Sequence, residues 1–261
     1  MPLSHTSFNL ARKTITILGI PIDRLTMAQT VAHIITLMAE PGLHQITTPN
    51  PEFVMAAQTD ADFHRILNQA DLCIPDGIGL VWAARWLGRP IPERVPGSEL
   101  VYKLAEIAAA HAFPLFLLGA EPGVAEQAGT ILQSCYPGLI IAGTYAGSPH
   151  PTEDETICQI INQSGANLLY VAYGAPQQDK WIDRNRGRIP TIRVAIGVGG
   201  ALDFITGKRT RAPRWMQKLG LEWLYRLWQE PWRWRRMLAL PRFVWAVLRR
   251  GRGQKPVNSD Q

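Results

Sequence analysis

The chain has 261 residues, of which 46% are hydrophobic and 18% are charged, and its formal net charge is +6. These values exclude a disordered chain and fit a globular protein with one large α/β domain or two small ones. The three cysteines are widely spaced and form no CxxC motif, which indicates small core residues in a reducing compartment. The six histidines form no HExxH-type cluster, so we expect no metal site built from protein ligands alone.

Short β-rich runs alternate with helical stretches along residues 14–206, which predicts an α/β fold with a Rossmann-like, mainly parallel sheet flanked by helices. The predicted strands are Thr14–Ile20, Gln45–Thr48, Leu72–Pro75, Pro114–Gly119, Leu139–Thr144, Leu168–Tyr173 and Arg193–Val198. The predicted helices are Thr26–Ala39, Pro51–Gln58, Ala61–Gln69, Gly79–Leu87, Ser98–Ala112, Gly123–Cys135, Glu153–Ser164 and Pro176–Arg186. The first apolar run is too short for a signal segment, and no run reaches the roughly 18 apolar residues of a membrane span. Any contact with a membrane is therefore expected at its surface.

Two Pro- and Gly-rich stretches predict boundaries along the chain. Residues 88–97 form either an exposed loop between subdomains or a mobile segment over a site. Residues 207–213 precede a change in charge, so we expect an α/β core at 1–206, a helical appendage at 207–252 and a frayed, disordered end at 253–261. Pro213, Pro231 and Pro241 are each expected to start or break a helix in the appendage.

Residues 207–252 contain thirteen Lys and Arg against two Glu, and six of the nine tryptophans. Indole rings favour the headgroup zone of a bilayer, and guanidinium groups pair with phosphate. Leucines at helical positions favour an amphipathic helix on an anionic membrane surface over a nucleic-acid partner. A third interpretation is that some of these tryptophans pack onto the body as core.

Two polar motifs follow predicted strands, where open α/β sheets place their ligands. Thr48-Pro49-Asn50 offers an amide suited to a sugar hydroxyl, and Asn50 could equally cap a helix that begins at Pro51. Pro75-Asp76-Gly77 offers a carboxylate that could act as a general base, or could cap the helix that begins near Gly79. The residue pattern leaves both alternatives open.

Other strand-to-helix junctions are less specific. The runs Gly119–Gly123 and Gly197–Gly200 could cradle a phosphate or simply form tight turns, since neither completes a GxGxxG or GxxxxGK[ST] motif. Gly174–Lys180 places amide side chains at a helix start, and Arg94 and Asp203 could each be ordinary surface charges. Asp60-Ala61-Asp62 spells DxD, a metal-diphosphate motif, but it opens a helix, so we interpret it as helix capping and first-turn charge.

Taken together, these motifs resemble the WecG/TagA/CpsF family, glycosyltransferase family 26. They occur in the family's order over roughly residues 14–240. The motifs are Thr48-Pro49-Asn50 with Glu52, Asp76-Gly77-Ile78-Gly79, Arg94–Ser98, Gly174–Gln178, Gly197–Asp203, and Arg211-Ala212-Pro213 running into Gly220–Arg226. Two positions depart from the family's usual residues while keeping the charge, Asp179 in place of Glu and Glu99 in place of Asp.

The resemblance implies an inverting, metal-independent transferase without a cofactor, held peripherally on the cytoplasmic face of a bacterial inner membrane. It implies transfer of a sugar, most commonly N-acetylmannosamine, from a UDP donor to undecaprenyl-diphosphate-linked N-acetylglucosamine for a cell-surface polymer. UDP-linked N-acetylmannosaminuronic acid or glucose, on another polyprenyl-linked acceptor, is the alternative. It also implies an anionic membrane as partner and no nucleic acid, and apolar residues on a released tail could favour a homo-oligomer.

The resemblance also assigns roles to residues. Asp76 is implied to be the catalytic base that deprotonates the acceptor hydroxyl. The implied substrate-binding residues are Thr48 and Asn50 at the sugars, Arg94, Gln178 and Asp203 in the donor pocket, and Arg226, Arg233 and Arg236 at the diphosphate. A nucleotide-dependent oxidoreductase and a non-enzymatic membrane adaptor remain as more remote alternatives.

Overall fold

The computed structural model describes residues 13–213, 215–216 and 220–250, and it describes Arg226 and Arg233 only in their backbone. The predicted frayed end at 253–261 lies outside these residues. No helix within the described ranges has the length and apolar character needed to cross a bilayer.

A six-stranded parallel sheet forms the centre of the molecule, as the alternation of strands and helices predicts. Its strands are β3 (His44–Thr47), β4 (Leu72–Cys73), β5 (Leu115–Gly119), β6 (Ile141–Tyr145), β7 (Leu168–Ala172) and β8 (Val194–Gly197), in the order β4-β3-β8-β7-β5-β6. In the central register, Ile46 pairs with Ile196 and Leu169 pairs with Ala195. All six carboxyl ends therefore lie along one edge of the sheet.

Helices cover both faces of the sheet. Those of the body are α1 (Met27–Ala39), α2 (Pro51–Ala57), α3 (Ala61–Gln69), α4 (Ile78–Trp86), α5 (Gly97–Ala110), α6 (Val124–Cys135), α7 (Asp154–Ser164), α8 (Gln177–Asn185) and α9 (Ala201–Ile205). One core cluster lies under α1, α5, α6 and α9, and another lies under α7 and α8 around the fully buried Trp181. Burial on both faces explains why the central strands β5, β7 and β8 are almost continuously apolar.

The single strand predicted at Thr14–Ile20 is wrong. The segment forms a hairpin of β1 (Thr14–Ile17) and β2 (Ile20–Asp23), which is separate from the main sheet. Leu18 and Gly19 make the two-residue turn with φ of 51° and 84°, the positive angles that a type I′ hairpin requires. Sequence patterns do not predict a leucine in this left-handed conformation.

The hairpin is tied to the end of the sheet by one buried carboxylate. An Asp23 side-chain oxygen accepts the backbone N–H of Cys73 at 2.6 Å, and Asp23 is fully buried. The hairpin also completes a third core cluster with α2, α3 and α4. Because β4 leads directly into Asp76, this hydrogen bond anchors the strand that carries the candidate base.

The C-terminal helices are α10 (Glu222–Gln229), α11 (Trp234–Met237) and α12 (Ala239–Arg250), with a 3-10 turn at Pro231–Arg233. Pro231 starts that turn and Pro241 lies in the first turn of α12, as predicted. Phe243 and Val247 of α12 join the third core cluster, against α2 and α4. The idea that some tail tryptophans belong to the core is wrong, since all six are between 38% and 76% exposed.

We predict that Asp23→Ala lowers the free energy of unfolding by about 2–3 kcal/mol, because it leaves the buried Cys73 N–H without its charged acceptor. Urea denaturation followed by circular dichroism measures this loss. Asp62→Ala is the matched control, because Asp62 is 54% exposed in a surface ion pair with Arg65 and should cost less than about 1 kcal/mol. Equal losses in the two variants would contradict the anchoring role of Asp23.

Candidate functional site

A cavity of about 1130 Å³ lies along the carboxyl edge of the sheet. The loops after five strands form its floor, as the switch-point rule for open sheets predicts. These loops contribute Thr48 and Asn50 after β3, Asp76 after β4, Glu121 after β5, Tyr173 and Gly174 after β7, and Gly197–Gly200 after β8. The C-terminal segment supplies the other wall with Glu222, Trp228, Glu230, Trp232 and Arg236.

Asp76 is held between two loops at the cavity. Its N–H donates to the carbonyl of Pro49 at 3.0 Å, and its Oδ1 accepts the N–H of Gly97 at 3.1 Å. The alternative that Asp76 caps the helix near Gly79 is wrong, because Gly77 occupies the N-cap of α4 and the carboxylate reaches the start of α5 instead. The carboxylate is therefore fixed in position while it lines the cavity.

Two glycines bring the starts of α2 and α4 into contact. A Cβ at Gly77 would lie 2.7 Å from Cδ of Pro51, and a Cβ at Gly79 would lie 2.7 Å from Cγ of the same ring. Side chains at either position would push the two helix starts apart. The glycines of the DGIG motif thus keep Asn50 and Asp76 close together.

Asn50 and Thr48 lie beside Asp76, as predicted. The Oδ1 atom of Asn50 accepts the N–H of Phe53 at 3.1 Å, so the capping interpretation is confirmed. The residue also lines the cavity, and its amide N–H₂ is a donor suited to a sugar hydroxyl. Thr48 is 7% exposed and packs against Gly97, on the same loop that binds Asp76.

Gln178 lies behind the cavity wall, not in it. It is 2% exposed, and its Oε1 accepts the N–H of Gly174 at 3.1 Å and the N–H of Gly199 at 2.9 Å. These two glycines do line the cavity. Gln178 therefore shapes the predicted donor pocket indirectly, because it fixes the two glycine loops that would meet a ligand.

Asp203 lines the cavity as predicted, and it does so within a chain of charges. Its Oδ2 lies 3.2 Å from Nε of Arg209, whose Nη1 lies 3.2 Å from Oε1 of Glu230. Lys208 pairs with Glu121 on the neighbouring loop. These two cations, which sequence reasoning did not select, lie on the same side of the cavity as the Gly197–Gly200 loop.

Arg94 does not line the large cavity. It lines an adjoining space of about 120 Å³ that shares Asn50, Asp76 and Glu222 with it. Its Nη1 donates to Oε2 of Glu222 at 2.6 Å, and both side chains are about one-fifth exposed. Arg94 therefore joins the Pro-rich loop to α10 beside the site.

One of the three predicted C-terminal arginines is described at the cavity. Nε and Nη2 of Arg236 lie 3.0 and 2.8 Å from Oε2 of Glu52 in the first turn of α2. The side chains of Arg226 and Arg233 lie outside what the structure describes. Glu52 is a site residue that sequence reasoning left without a role, although it follows the Thr48-Pro49-Asn50 motif directly.

The DxD run has a structural role, as predicted. Asp60 caps α3 by accepting the N–H of Phe63 at 3.0 Å and pairs with Lys180 at 2.7 Å, while Asp62 pairs with Arg65. Hydrogen bonding to Lys180 keeps the pKa of Asp60 below its usual value. Among the described residues, no group of three or more His, Cys, Asp or Glu is placed to hold a metal ion.

Asp179 is the most unusual carboxyl group near the site. It is fully buried next to Gln178. Neither of its carboxylate oxygens has a hydrogen-bond partner at an acceptable distance and angle among the described residues. Burial raises the pKa of this carboxyl to about 7, against smaller opposing effects from the Gln178 amide and its own backbone N–H. The residue next to it, Gln178, binds both glycine loops through its side chain.

Comparison with known proteins gives concordant matches. Residues 15–256 match the model of the family described as Glycosyl transferase WecG/TagA/CpsF. A Bacillus subtilis strain 168 protein named N-acetylglucosaminyldiphosphoundecaprenol N-acetyl-beta-D-mannosaminyltransferase is 36% identical over 211 residues, which cover 80% of this chain and 81% of the relative. Staphylococcus aureus proteins of the same name, from strains MRSA252 and MW2, are each 34% identical over 233 residues, which cover 88% of this chain and 91% of each relative.

We predict that Asp179→Asn stabilises the protein increasingly as pH rises from about 4 to about 7. The native pKa is raised above the unfolded value of 3.8, so over this range the unfolded state loses its proton first and the wild type loses stability. Asparagine removes that loss, which is on the order of 1.4 kcal/mol per unit of pKa difference. Urea denaturation across this pH range measures the difference, with Asp183→Asn as the more exposed control. A difference between Asp179→Asn and wild type that does not change with pH would contradict the raised pKa.

Proposed function

The chain belongs to the WecG/TagA/CpsF family of glycosyltransferases, and we propose that it moves N-acetylmannosamine from UDP to N-acetylglucosaminyl-diphosphoundecaprenol. The names of the Bacillus and Staphylococcus relatives support this sugar and this acceptor. Family membership makes the chain an enzyme of glycosyl transfer, and it sets aside the oxidoreductase and the non-enzymatic adaptor.

The single observation that carries the proposal is the position of Asp76. Its carboxylate lines a polar cavity at the carboxyl edge of the sheet, where the body loops meet the basic C-terminal segment. The cavity exceeds the volume of a typical site for one small molecule, so it has room for parts of both donor and acceptor. Asp76 is thus placed where two substrates would meet.

We assign Asp76 as the general base of an inverting displacement. The acceptor hydroxyl oxygen forms the new bond to the anomeric carbon, the bond from that carbon to the UDP oxygen breaks on the opposite face, and Asp76 takes the hydroxyl proton. The hydrogen bond from Gly97 fixes the carboxylate for this step. Thr48 and Asn50, in the adjacent loop, are assigned to hold the reacting sugars.

The donor is assigned to the side of the cavity formed by the glycine loops after β7 and β8. Backbone approach is close there because Gly174 and Gly199 carry no side chains, and Gln178 keeps both loops in place. Asp203 at the start of α9 is suited to accept hydrogen bonds from a ribose or sugar hydroxyl. Lys208 and Arg209 provide positive charge beside it.

We propose that arginines neutralise the leaving diphosphate without a metal ion. Guanidinium groups bind phosphate oxygens in pairs and stabilise charge that develops in the transition state. Arg236 reaches the cavity from α11 and is oriented by Glu52 in the first turn of α2. Arg226 and Arg233 are assigned to the same diphosphate.

The lipid-linked acceptor requires contact with a bilayer, which we assign to the C-terminal helices on the cytoplasmic face. Trp228, Trp232 and Trp234 are 54–76% exposed, which is unusual for side chains of this size, and Arg233, Arg235 and Arg236 are close to the last two in sequence. Such an interleaved surface suits the headgroup region of an anionic membrane. The segment that closes the cavity is then the segment that meets the lipid.

We predict that Asp76→Asn reduces transfer by at least about a hundredfold, because general base catalysis typically contributes 10²–10⁴. UDP binding, measured by calorimetry, should change little. Transfer is measured by product mass with a short-chain prenyl-diphosphate-N-acetylglucosamine. Asp62→Asn, which removes an exposed carboxylate outside the cavity, should leave both properties as in the wild type. Normal transfer by Asp76→Asn would rule out this base.

We predict that Arg236→Gln lowers kcat by about a hundredfold, because it removes a cation from the transition state. Its effect on vesicle binding should stay near fivefold, since one surface charge adds about 1 kcal/mol of attraction. Arg235→Gln is the matched control, because Arg235 is in the same helix with its guanidinium 5.5 Å from the Trp234 ring. Equal kcat values for the two variants would contradict a diphosphate role for Arg236.

A further inference from the structure

Two large aromatic side chains outside the C-terminal segment are exposed on α4. Trp82 is 63% exposed and Trp86 is 51% exposed, and the two are four residues apart. The helix buries Leu80, Ala83 and Ala84, so the tryptophans lie on the side that faces away from the core. Neither tryptophan lines the cavity. An exposed pair of indoles on one helix face is a marker of an interaction surface.

The exposed side of α12 continues the same character. This helix contacts α4 and packs Phe243 and Val247 into the core cluster that also holds Leu80. Its outward residues are again apolar: Val244 is 55%, Trp245 is 60% and Leu248 is 51% exposed. Two neighbouring helices therefore bury one side in a shared core and leave the other side aromatic and aliphatic.

The charge on these two helices has one sign. Neither α4 nor α12 contains an acidic residue, whereas Arg85 is in the last turn of α4 and Arg249 and Arg250 are in the last turn of α12. The Arg249 guanidinium lies 4.9 Å from the centre of the Trp245 ring. Indoles with adjacent guanidinium groups match an anionic lipid bilayer, whose phosphate groups are negatively charged and whose interior just beneath them is apolar.

We infer that α4 extends the bilayer contact of the C-terminal helices into the catalytic body, where Trp82 and Trp86 insert into the headgroup region of anionic lipid beside the exposed side of α12. This inference rests on the proposed function only in that the acceptor is membrane-linked. The membrane is then bound by the body as well as by the C-terminal segment.

A contact at α4 would set the depth of the active site. The helix begins two residues after Asp76, and Trp82 is six residues after it. The four residues from Ile78 to Trp82 rise about 6 Å along the helix, and the two residues before the helix add at most about 7 Å, so Asp76 lies within about 13 Å of Trp82 along the chain. With Trp82 at headgroup level, a diphosphate-linked acceptor reaches Asp76 while its prenyl chain stays in the bilayer.

Partition of the full chain onto vesicles without sugar substrates tests this contact. We expect Trp82→Ala/Trp86→Ala to lower partition onto phosphatidylcholine–phosphatidylglycerol vesicles by about tenfold, and Trp82→Phe/Trp86→Phe to lower it less. Ile140→Ala is the control, since Ile140 is 45% exposed just before β6, at the opposite edge of the sheet. It should partition as the wild type does, and thermal unfolding should show that all variants are folded.

Unchanged partition of the folded double alanine variant would overturn the inference. So would a change confined to self-association, measured by sedimentation, because it would assign the surface to a second copy of the chain. Transfer to a soluble short-chain acceptor is read separately. If the double alanine variant loses vesicle binding while the wild type shows no transfer, this contact stands and the proposed function is refuted. If the wild type transfers the sugar while the double alanine variant binds vesicles normally, the proposed function stands and this contact is refuted.

Discussion

Ion pairs between arginines and carboxylates hold the C-terminal helices against the cavity, and the geometry of the site depends on them. Arg236 pairs with Glu52, Arg94 pairs with Glu222, and Arg211 lies 3.5 Å from the other oxygen of Glu222. The first two pairs join parts of the chain that are more than 100 residues apart. The third pair joins two residues of the C-terminal part of the chain beside the cavity. Exposed pairs contribute little stability, but the Arg94–Glu222 pair is mostly buried, so the loss of either partner would leave an uncompensated charge.

These pairs also explain how the wall can respond to a substrate. The described cavity wall carries Glu52, Asp76, Glu121, Asp203, Glu222 and Glu230 against Lys208, Arg209 and Arg236. A diphosphate that enters this space competes with the carboxylates for the same guanidinium groups. Because phosphate–arginine contacts are strong and bidentate, the donor can recruit cations that the free protein keeps neutralised by its own acidic residues. In the proposed reaction these guanidinium groups turn from the carboxylates of the protein to the leaving group only when the substrate is present.

Much of this site is predictable from local sequence, for a physical reason. Period-2 and period-3.6 patterns reflect burial on one face of a strand or helix, and the carboxyl edge of a parallel sheet collects whatever polar residues follow the strands. The positions of Thr48, Asn50 and Asp76 after β3 and β4 therefore indicated ligand contacts at this edge, whereas Asp203 was placed with them by the family resemblance. The Asn50 cap was equally predictable, because capping needs only the residues that follow.

Contacts between distant residues were not predictable in the same way. Nothing local indicates that the Gln178 side chain binds the N–H of Gly199, 21 residues away, or that Glu52 meets Arg236. The hairpin turn was missed because Leu18 adopts a conformation that leucine rarely takes. Trp82 and Trp86 were overlooked because exposure depends on which neighbours cover a helix, and tryptophan in an apolar helix is usually expected in the core.

In the proposed function, this cavity transfers a sugar to a lipid-linked acceptor. The most direct measurement is the mass of the product formed by the full chain on vesicles that carry prenyl-diphosphate-N-acetylglucosamine, with UDP-N-acetylmannosamine, UDP-N-acetylmannosaminuronic acid and UDP-glucose supplied separately. We expect that one N-acetylhexosamine is added from UDP-N-acetylmannosamine and that UDP is released in equal amount. Addition from another donor alone would contradict the assigned sugar, and no addition from any donor to any lipid-linked acceptor would contradict glycosyl transfer by this cavity.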